Sequence, residues 1–353
     1  KPSNRLMKLS VQAQILDLWN STYRRNGFNM THFHEKLVEV HKLEVGRETV
    51  RRLLRSKSLY DRKPKRSRKH RSRRERRMRF GELLQQDTSP HDWLGTGVNY
   101  QCVVVVDDAT SKILFCRFFE HDGTLANMTA MLEVFRKFGL PLAVYTDKAM
   151  WFHPDQKRRV VQTFKALYDD EIKEYESQIG RALKRLGVEF IPAHSPQAKG
   201  RMERSNGTLQ DRLIAELKLR NITEISLANA YIDEAFIADY NKRFGVESAE
   251  KETAFIQLAD PSVLDEILCI EFESIVQNDN TATRAKYYRL QLLPAPHRPN
   301  WAKAKVIVRI LPNQGVVVKH KQTKENIPFK ILELKIPKEF KYKNPDLADI
   351  STG

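Results

Sequence analysis

Apolar residues recur at helical spacing near the start of the chain. Val11, Ile15, Leu18 and Trp19 form one stripe between Leu9 and Tyr23, with Ser10 placed to cap it. Gly27 breaks the pattern, and Phe33, Leu37, Val38 and Val40 predict a second helix. After a short turn over Leu43–Gly46, a third helix over Arg47–Arg55 turns Val50, Leu53 and Leu54 inward. Its other face carries Arg47, Arg51, Arg52 and Arg55. A helix, a short turn containing glycine and a basic helix make the helix-turn-helix layout. A three-helix bundle with a solvated basic face is the alternative.

From Leu83 the apolar runs shorten to strand length. Leu83–Asp87, Gln101–Val106 and Ile113–Phe119 predict a three-stranded meander. A helix follows over Leu125–Phe138, then a buried strand over Leu142–Thr146 that ends on Asp147. Phe164–Leu186 reads as mostly helical and Val188–Ile191 as a strand. A long helix over Ala198–Arg220 opens after the loop Pro192–Pro196. Three strands, helix, strand, helix, strand, helix is the order of a ribonuclease-H-like α/β fold. Residues 246–290 give no clear pattern. Short β runs at Lys305–Leu311, Gly315–His320 and Ile327–Ile331, with a turn signal at Asn313–Gly315, predict a small β-barrel. The expected division is a helix-turn-helix domain (1–60), a basic linker (61–80), a ribonuclease-H-like core (81–245), a connecting segment (246–290), the barrel (291–336) and a tail (337–353).

Charge changes this picture from a fold to a partner. The 353 residues hold 61 Lys and Arg against 44 Asp and Glu, a formal net charge of +17. Twelve of the nineteen residues 61–79 are basic. Lys63, Lys65, Arg66, Arg68 and Lys69 are therefore expected to lie on DNA phosphates, although such a run also suits a solvated linker or a localisation signal. No apolar run is long enough to cross a bilayer, and no secretory signal is read at Lys1, so a cytoplasmic, nucleoid-associated bacterial protein without a membrane partner is expected. Cys102, Cys116 and Cys269 are scattered and suggest neither a zinc ribbon nor disulfides. His32, His34 and His41 lack cysteine partners for a zinc-binding bundle.

Carboxylates at strand ends suit phosphodiester chemistry with two divalent ions, because a strand end is rigid and faces a cleft. Asp87 and Asp147 end strands expected to lie side by side. Glu203 lies in the first turns of the long helix, with Lys199 and Asn206 on its face and Arg201 and Arg204 near it as DNA contacts. Asp92 and Asp107 are rivals for the first position. His91 and His194 could orient water or DNA, but a lone histidine is more often structural. Trp93 and Trp151 read more readily as packing than as base-stacking residues.

The segments LLQQDTSPHDW, LAVYTDKAMWF and IPAHSPQAKGRMERSNGTLQDRL resemble the integrase-core transposases of bacterial insertion sequences, in particular the ISNCY group related to IS481-like elements. The resemblance covers nearly the whole chain, and HSPQAKGRMER is its most specific part. It implies a DDE triad at Asp87, Asp147 and Glu203, two Mg²⁺ or Mn²⁺ ions, cleavage at element ends, strand transfer into target double-stranded DNA, and a homo-oligomer on that DNA. Lys1–Arg5 resembles the stretch after a first helix-turn-helix in such proteins, so a preceding domain is expected. The spacer of 55 residues, 148 to 202, is longer than in many integrases; the surplus is expected within His153–Glu176. A nuclease of the same fold and a non-catalytic DNA-binding regulator are the rival readings.

Overall fold

The computed structural model describes residues 7–60, 75–146, 177–192, 196–284, 287–313 and 315–334; within 192–204 only the Met202 side chain is described. Two compact units emerge. The first gathers Lys1–Arg74, Asp92–Val98 and Gly200–Ala228; the second gathers Glu75–His91, Asn99–Lys199 and Asn229–Gly353.

The first unit begins with α1 (Leu9–Leu18), which runs on as a turn of π-helix over Trp19–Tyr23. Ser10 lies inside α1 and not at its cap; the cap position is Lys8, which makes no side-chain capping bond. The helix simply starts two residues earlier than the serine would require. In α2 (Met30–Glu39) the capping chemistry is present, since Asn29 Oδ1 accepts from the His32 backbone N–H at 2.9 Å. α3 (Arg47–Ser56) follows Gly46 and buries Val50, Leu53 and Leu54. These three meet Ile15, Trp19, Tyr23, Phe33 and Leu37 in one core, where the Trp19 and Phe33 rings lie 4.9 Å apart.

The second unit is built on a five-stranded sheet in the order β3-β2-β1-β4-β5. β1 (Leu83–His91), β2 (Tyr100–Asp107) and β3 (Ile113–Phe119) form an antiparallel meander, and β4 (Ala143–Thr146) and β5 (Glu189–Pro192) add in parallel. This is the ribonuclease-H-like arrangement. β1 runs four residues past its expected end, so Asp87 sits mid-strand, opposite Val104 of β2. One face of the sheet, with Leu84, Val103, Val105, Phe115 and Phe119, packs on α4 (Thr124–Phe138) and α5 (Gln178–Arg185). Leu83, Ala143, Tyr145 and Ile191 cluster on the other face. Asp87 follows Leu83 and Gln85 at strand period and shares this second face.

The long helix α6 (Pro196–Leu219) passes from the second unit to the first. α7 (Ile225–Tyr231), a π turn (Ile232–Phe236) and α8 (Ile237–Phe244) then return along the outer edge of β3. Two asparagines close that edge. Asn229 Oδ1 accepts from the Phe118 N–H at 2.8 Å while its Nδ2 donates to the Phe118 carbonyl at 3.1 Å. Asn241 does the same for Ile113, at 2.7 and 2.8 Å.

After α9 (Val263–Ile267) come β6 (Ile270–Ile275), β7 (Thr281–Arg284), β8 (Tyr288–Leu292), β9 (Lys305–Ile310), β10 (Val316–His320) and β11 (Phe329–Leu334). They form two three-stranded sheets, β10-β9-β6 and β11-β8-β7, and no closed barrel among the described residues. Both sheets recruit strands from before residue 291, where four- to six-residue strands carry too little periodicity to read. Trp301 is fully buried between them, its indole N–H donating to the Leu293 carbonyl at 2.9 Å.

Candidate active site

β1 is held on both faces around Asp87. On one side Gln86 Nε2 donates to Asn127 Oδ1 at 2.7 Å, Asn127 Nδ2 donates to Asp122 Oδ1 at 2.9 Å, and Thr88 Oγ1 donates to the same oxygen at 3.3 Å. On the other, Gln85 Nε2 donates to Asp108 Oδ1 at 2.5 Å. Both glutamines are buried, so these bonds meet a requirement and also fix the strand's register. Asp87 itself is half-buried.

β4 runs parallel to β1, with Leu83 opposite Ala143 and Gln85 opposite Tyr145, and ends at buried Thr146. The next residue, Asp147, lies outside the described residues, as do His194 and Trp151. Glu203 is the eighth residue of α6; its side chain, like those of Lys199, Arg201 and Arg204, is not among those described, while Asn206 is half-buried. Among the described residues no group of three or more His, Cys, Asp or Glu is placed to hold a metal ion.

The rivals for the first carboxylate are occupied elsewhere. Asp92 accepts from the Thr96 and Gly97 N–H groups at 3.0 Å each and closes a loop. Asp107 is fully buried: Oδ1 accepts from the Gly81 N–H at 2.9 Å, and Oδ2 from the Thr110 N–H and Oγ1 at 2.7 Å each. Burial pushes its carboxyl above the usual range, against the pull of those bonds. Trp93 is fully buried and packs, and His91 is half-buried at the end of β1.

The basic candidates divide. Arg47, Arg52 and Arg55 of α3 are exposed, and Arg51 is half-buried, with Nη2 2.7 Å from Glu48. Lys63, Lys65, Arg66, Arg68 and Lys69 lie outside the described residues. The end of the basic run is tied down: Arg76 donates to the Ala109 carbonyl at 3.0 Å, and the Arg77 N–H to Asp108 at 3.0 Å. The three described histidines of the first unit serve the bundle. His32 Nε2 is 2.6 Å from Glu216, His34 Nε2 is 2.7 Å from the Val45 carbonyl, and His41 Nε2 is 2.8 Å from the Tyr23 hydroxyl.

The charged residues in the second half of α6 are ones that sequence reasoning missed. Arg212 and Glu216 are buried against α2. Their signal was present in the chain: Arg212, Glu216 and Arg220 recur every four residues along an otherwise amphipathic helix.

No family model matches the chain. It is similar to the transposase-designated protein y4bF of Sinorhizobium fredii, 33% identical over 272 residues that make up 76% of this chain and 56% of that one. It is also similar to the transposase for insertion sequence IS1202 of Streptococcus pneumoniae, 28% identical, with 76% of this chain and 62% of that one covered. The chain thus spans about six tenths of the length of the curated relatives it matches. Solved structures overlap it loosely. A chain of the simian T-cell lymphotropic virus intasome is 12% identical, with 83% of this chain and 92% of that one covered, at a TM-score of 0.36. The HTLV-2 integrase catalytic core in complex with magnesium is 16% identical, with 49% and 94% covered, at 0.33. The sheet order, and not these overlaps, defines the fold as ribonuclease-H-like. By sequence the chain is similar to these two transposases over about three quarters of its length.

Proposed function

We propose that this chain is a DDE-type polynucleotidyl transferase: it cleaves DNA at the ends of an insertion sequence and joins the freed 3′-OH to target DNA. The observation that carries this reading is Asp87, mid-strand on β1 and beside the parallel strand that leads directly into Asp147. The similarity to transposases along 76% of the chain supports it. Glu203, near the start of α6, supplies the third carboxylate.

Three carboxylates are a hard-oxygen donor set that fits Mg²⁺ or Mn²⁺. Asp87, Asp147 and Glu203 would hold two such ions, which supply activation of the attacking oxygen and charge stabilisation at the leaving oxygen. The chain's own part is to fix the scissile phosphate. Lys199, Arg201, Arg204 and Asn206 lie within four residues of Glu203 and are assigned to the phosphate backbone. Water attacks phosphorus at the element end, breaking the P–O3′ bond to release the 3′-OH and leave a 5′-phosphate on the flanking strand. That hydroxyl then attacks phosphorus in the target strand and displaces a target 3′-OH, so no Ser or Tyr nucleophile is needed. α2 and α3 act as the helix-turn-helix, with Arg47 and Arg51 toward base edges. The two small sheets, which begin at Ile270, stand where the barrel was expected. Joining two ends needs two active sites, hence a homo-oligomer on DNA, in the cytoplasm and on the nucleoid. Among the described residues no helix is long and apolar enough to cross a membrane.

The test is incubation with Mn²⁺ and labelled duplexes taken from the DNA flanking the reading frame. Asp87→Ala, Asp147→Ala and Glu203→Ala are each expected to lower nicking and joining by about a thousandfold or more, with duplex affinity equal or higher. A variant that still joins ends at the wild-type rate takes its residue out of the site.

A further inference from the structure

The second half of α6 rests on α2 through charged groups taken out of water. The Arg212 guanidinium grips Glu35 with both ends, Nη1 to Oε2 at 2.6 Å and Nη2 to Oε1 at 2.9 Å. Glu216 lies 2.6 Å from His32 Nε2 and 2.7 Å from Lys36 Nζ, and Arg220 reaches its second oxygen. Asn29, the cap of α2, donates to Asp211. Arg212 is 7% exposed and Glu216 is 5% exposed. Burial pushes the Glu216 carboxyl up, but the hydrogen bonds and charges of His32 and Lys36 outweigh it and hold it down to about 2.

Apolar residues would hold two helices together at least as strongly, since buried ions forfeit hydration. What the ions add is register. Along α6 and at the residue just past its end the signs alternate every turn, Arg212, Glu216, Arg220. A slip of four residues in either direction along α6 sets Glu216 against Glu35, or an arginine against Lys36. Such a slip would move Glu203 by about 6 Å along the axis, at about 1.5 Å per residue. α6 is continuous from Pro196 to Leu219, so fixing residues 211–220 fixes the axial position and rotation of its first half.

We propose that α2 is the positioning surface for the helix that carries Glu203, and that Glu35, Arg212 and Glu216 set its register. This rests on the transposase reading for its functional consequence. α2 is also the first helix of the proposed helix-turn-helix, so DNA held by α3 bears on the Glu203 helix through this contact. Glu35, Arg212 and Glu216 touch no reacting atom and act through α6.

The experiment uses the full chain as wild type, Glu35→Arg, Arg212→Glu and the double swap, with Arg212→Lys as a variant that keeps the charge and loses the fork. Amide hydrogen exchange over 200–219 is read with and without a 30-base-pair duplex from the flanking DNA, alongside the rate of end joining at saturating duplex. Each single reversal is expected to speed exchange over 200–219, and to slow joining, by about tenfold or more without weakening duplex binding to match. The double swap is expected to recover both to within about threefold, and Arg212→Lys to fall between. Unchanged exchange in the single reversals would overturn the proposal, whatever the activity. So would faster exchange with unaltered joining, or a double swap no better than the singles. If wild type joins no ends, the transposase reading fails by itself, and the exchange measurements still decide whether the pair seats α6 on α2.

Discussion

Asp87 and Asp107 lie on paired strands of one sheet, and the proposed function gives them opposite tasks. Asp107 spends both oxygens on Gly81 and Thr110 and is sealed from solvent. Asp107→Ala would strand buried donors, each costing about 1–3 kcal/mol. It is expected to lower the melting temperature sharply while leaving the rise given by Mn²⁺ intact. Asp87→Asn should behave in reverse. In the proposed site it removes one of three like charges, so the melting temperature in chelator is expected to stay level or rise. Its Mn²⁺ response should shrink, since an ion at ten times its dissociation constant adds about 1.4 kcal/mol only when it binds the folded state. Thermal melts in chelator and in millimolar Mn²⁺ compare the two. Equal Mn²⁺ shifts in wild type and Asp87→Asn would remove Asp87 from the metal site.

An edge strand exposes backbone groups that invite pairing with another chain. β3 is the edge of the five-stranded sheet, and side-chain amides stand in for the missing neighbour, Asn241 at Ile113 and Asn229 at Phe118. Asn229→Leu and Asn241→Leu keep much of the bulk but leave one N–H and one C=O without partners. Each is expected to cost about 1–3 kcal/mol in urea unfolding. The double variant is expected to aggregate faster on warming than either single one. Wild-type stability and aggregation in both would show that these amides neither hold nor protect the strand.

At the scale of the molecule, the excess of +17 sets how it meets a polyanion. Neutralising Lys63, Lys65, Arg66, Arg68, Lys69 and Arg71 together is expected to flatten the slope of log K against log salt by up to about 5, at about 0.9 for each phosphate no longer neutralised. Sequence preference is expected to stay with α3, because phosphate contacts position without specifying. Filter binding across a salt series checks this, and an unaltered slope would take the run off the DNA.

Several elements were legible because their causes are local. Val103–Val106 and Ile113–Phe119 are β-prone by side chain, and Leu125–Phe138 is periodic by itself, so β2, β3 and α4 stand within a residue or so of their expected limits. The order of elements likewise announced the α/β core. The expected β1 stops short at Asp87 because Ser89, Pro90 and His91 argue against a strand. In the fold, its pairing with β4 stops at Gln85, and a strand flanked on one side tolerates a residue without an N–H. Gln85 and Gln86 look misplaced in a core strand until Asp108 and Asn127 arrive, 23 and 41 residues away. The proposed carboxylates stand as candidates from the sequence, but that Asp107 is structural depended on Gly81 folding back over it. Least visible of all was the seat of α6 on α2, since Arg212 finds Glu35 across 177 residues of chain. Side-chain chemistry and spacing act over a few residues and determine which elements form and which groups are able to react. Which buried charge finds which partner depends on how the chain closes on itself, and that was decided only in the tertiary structure.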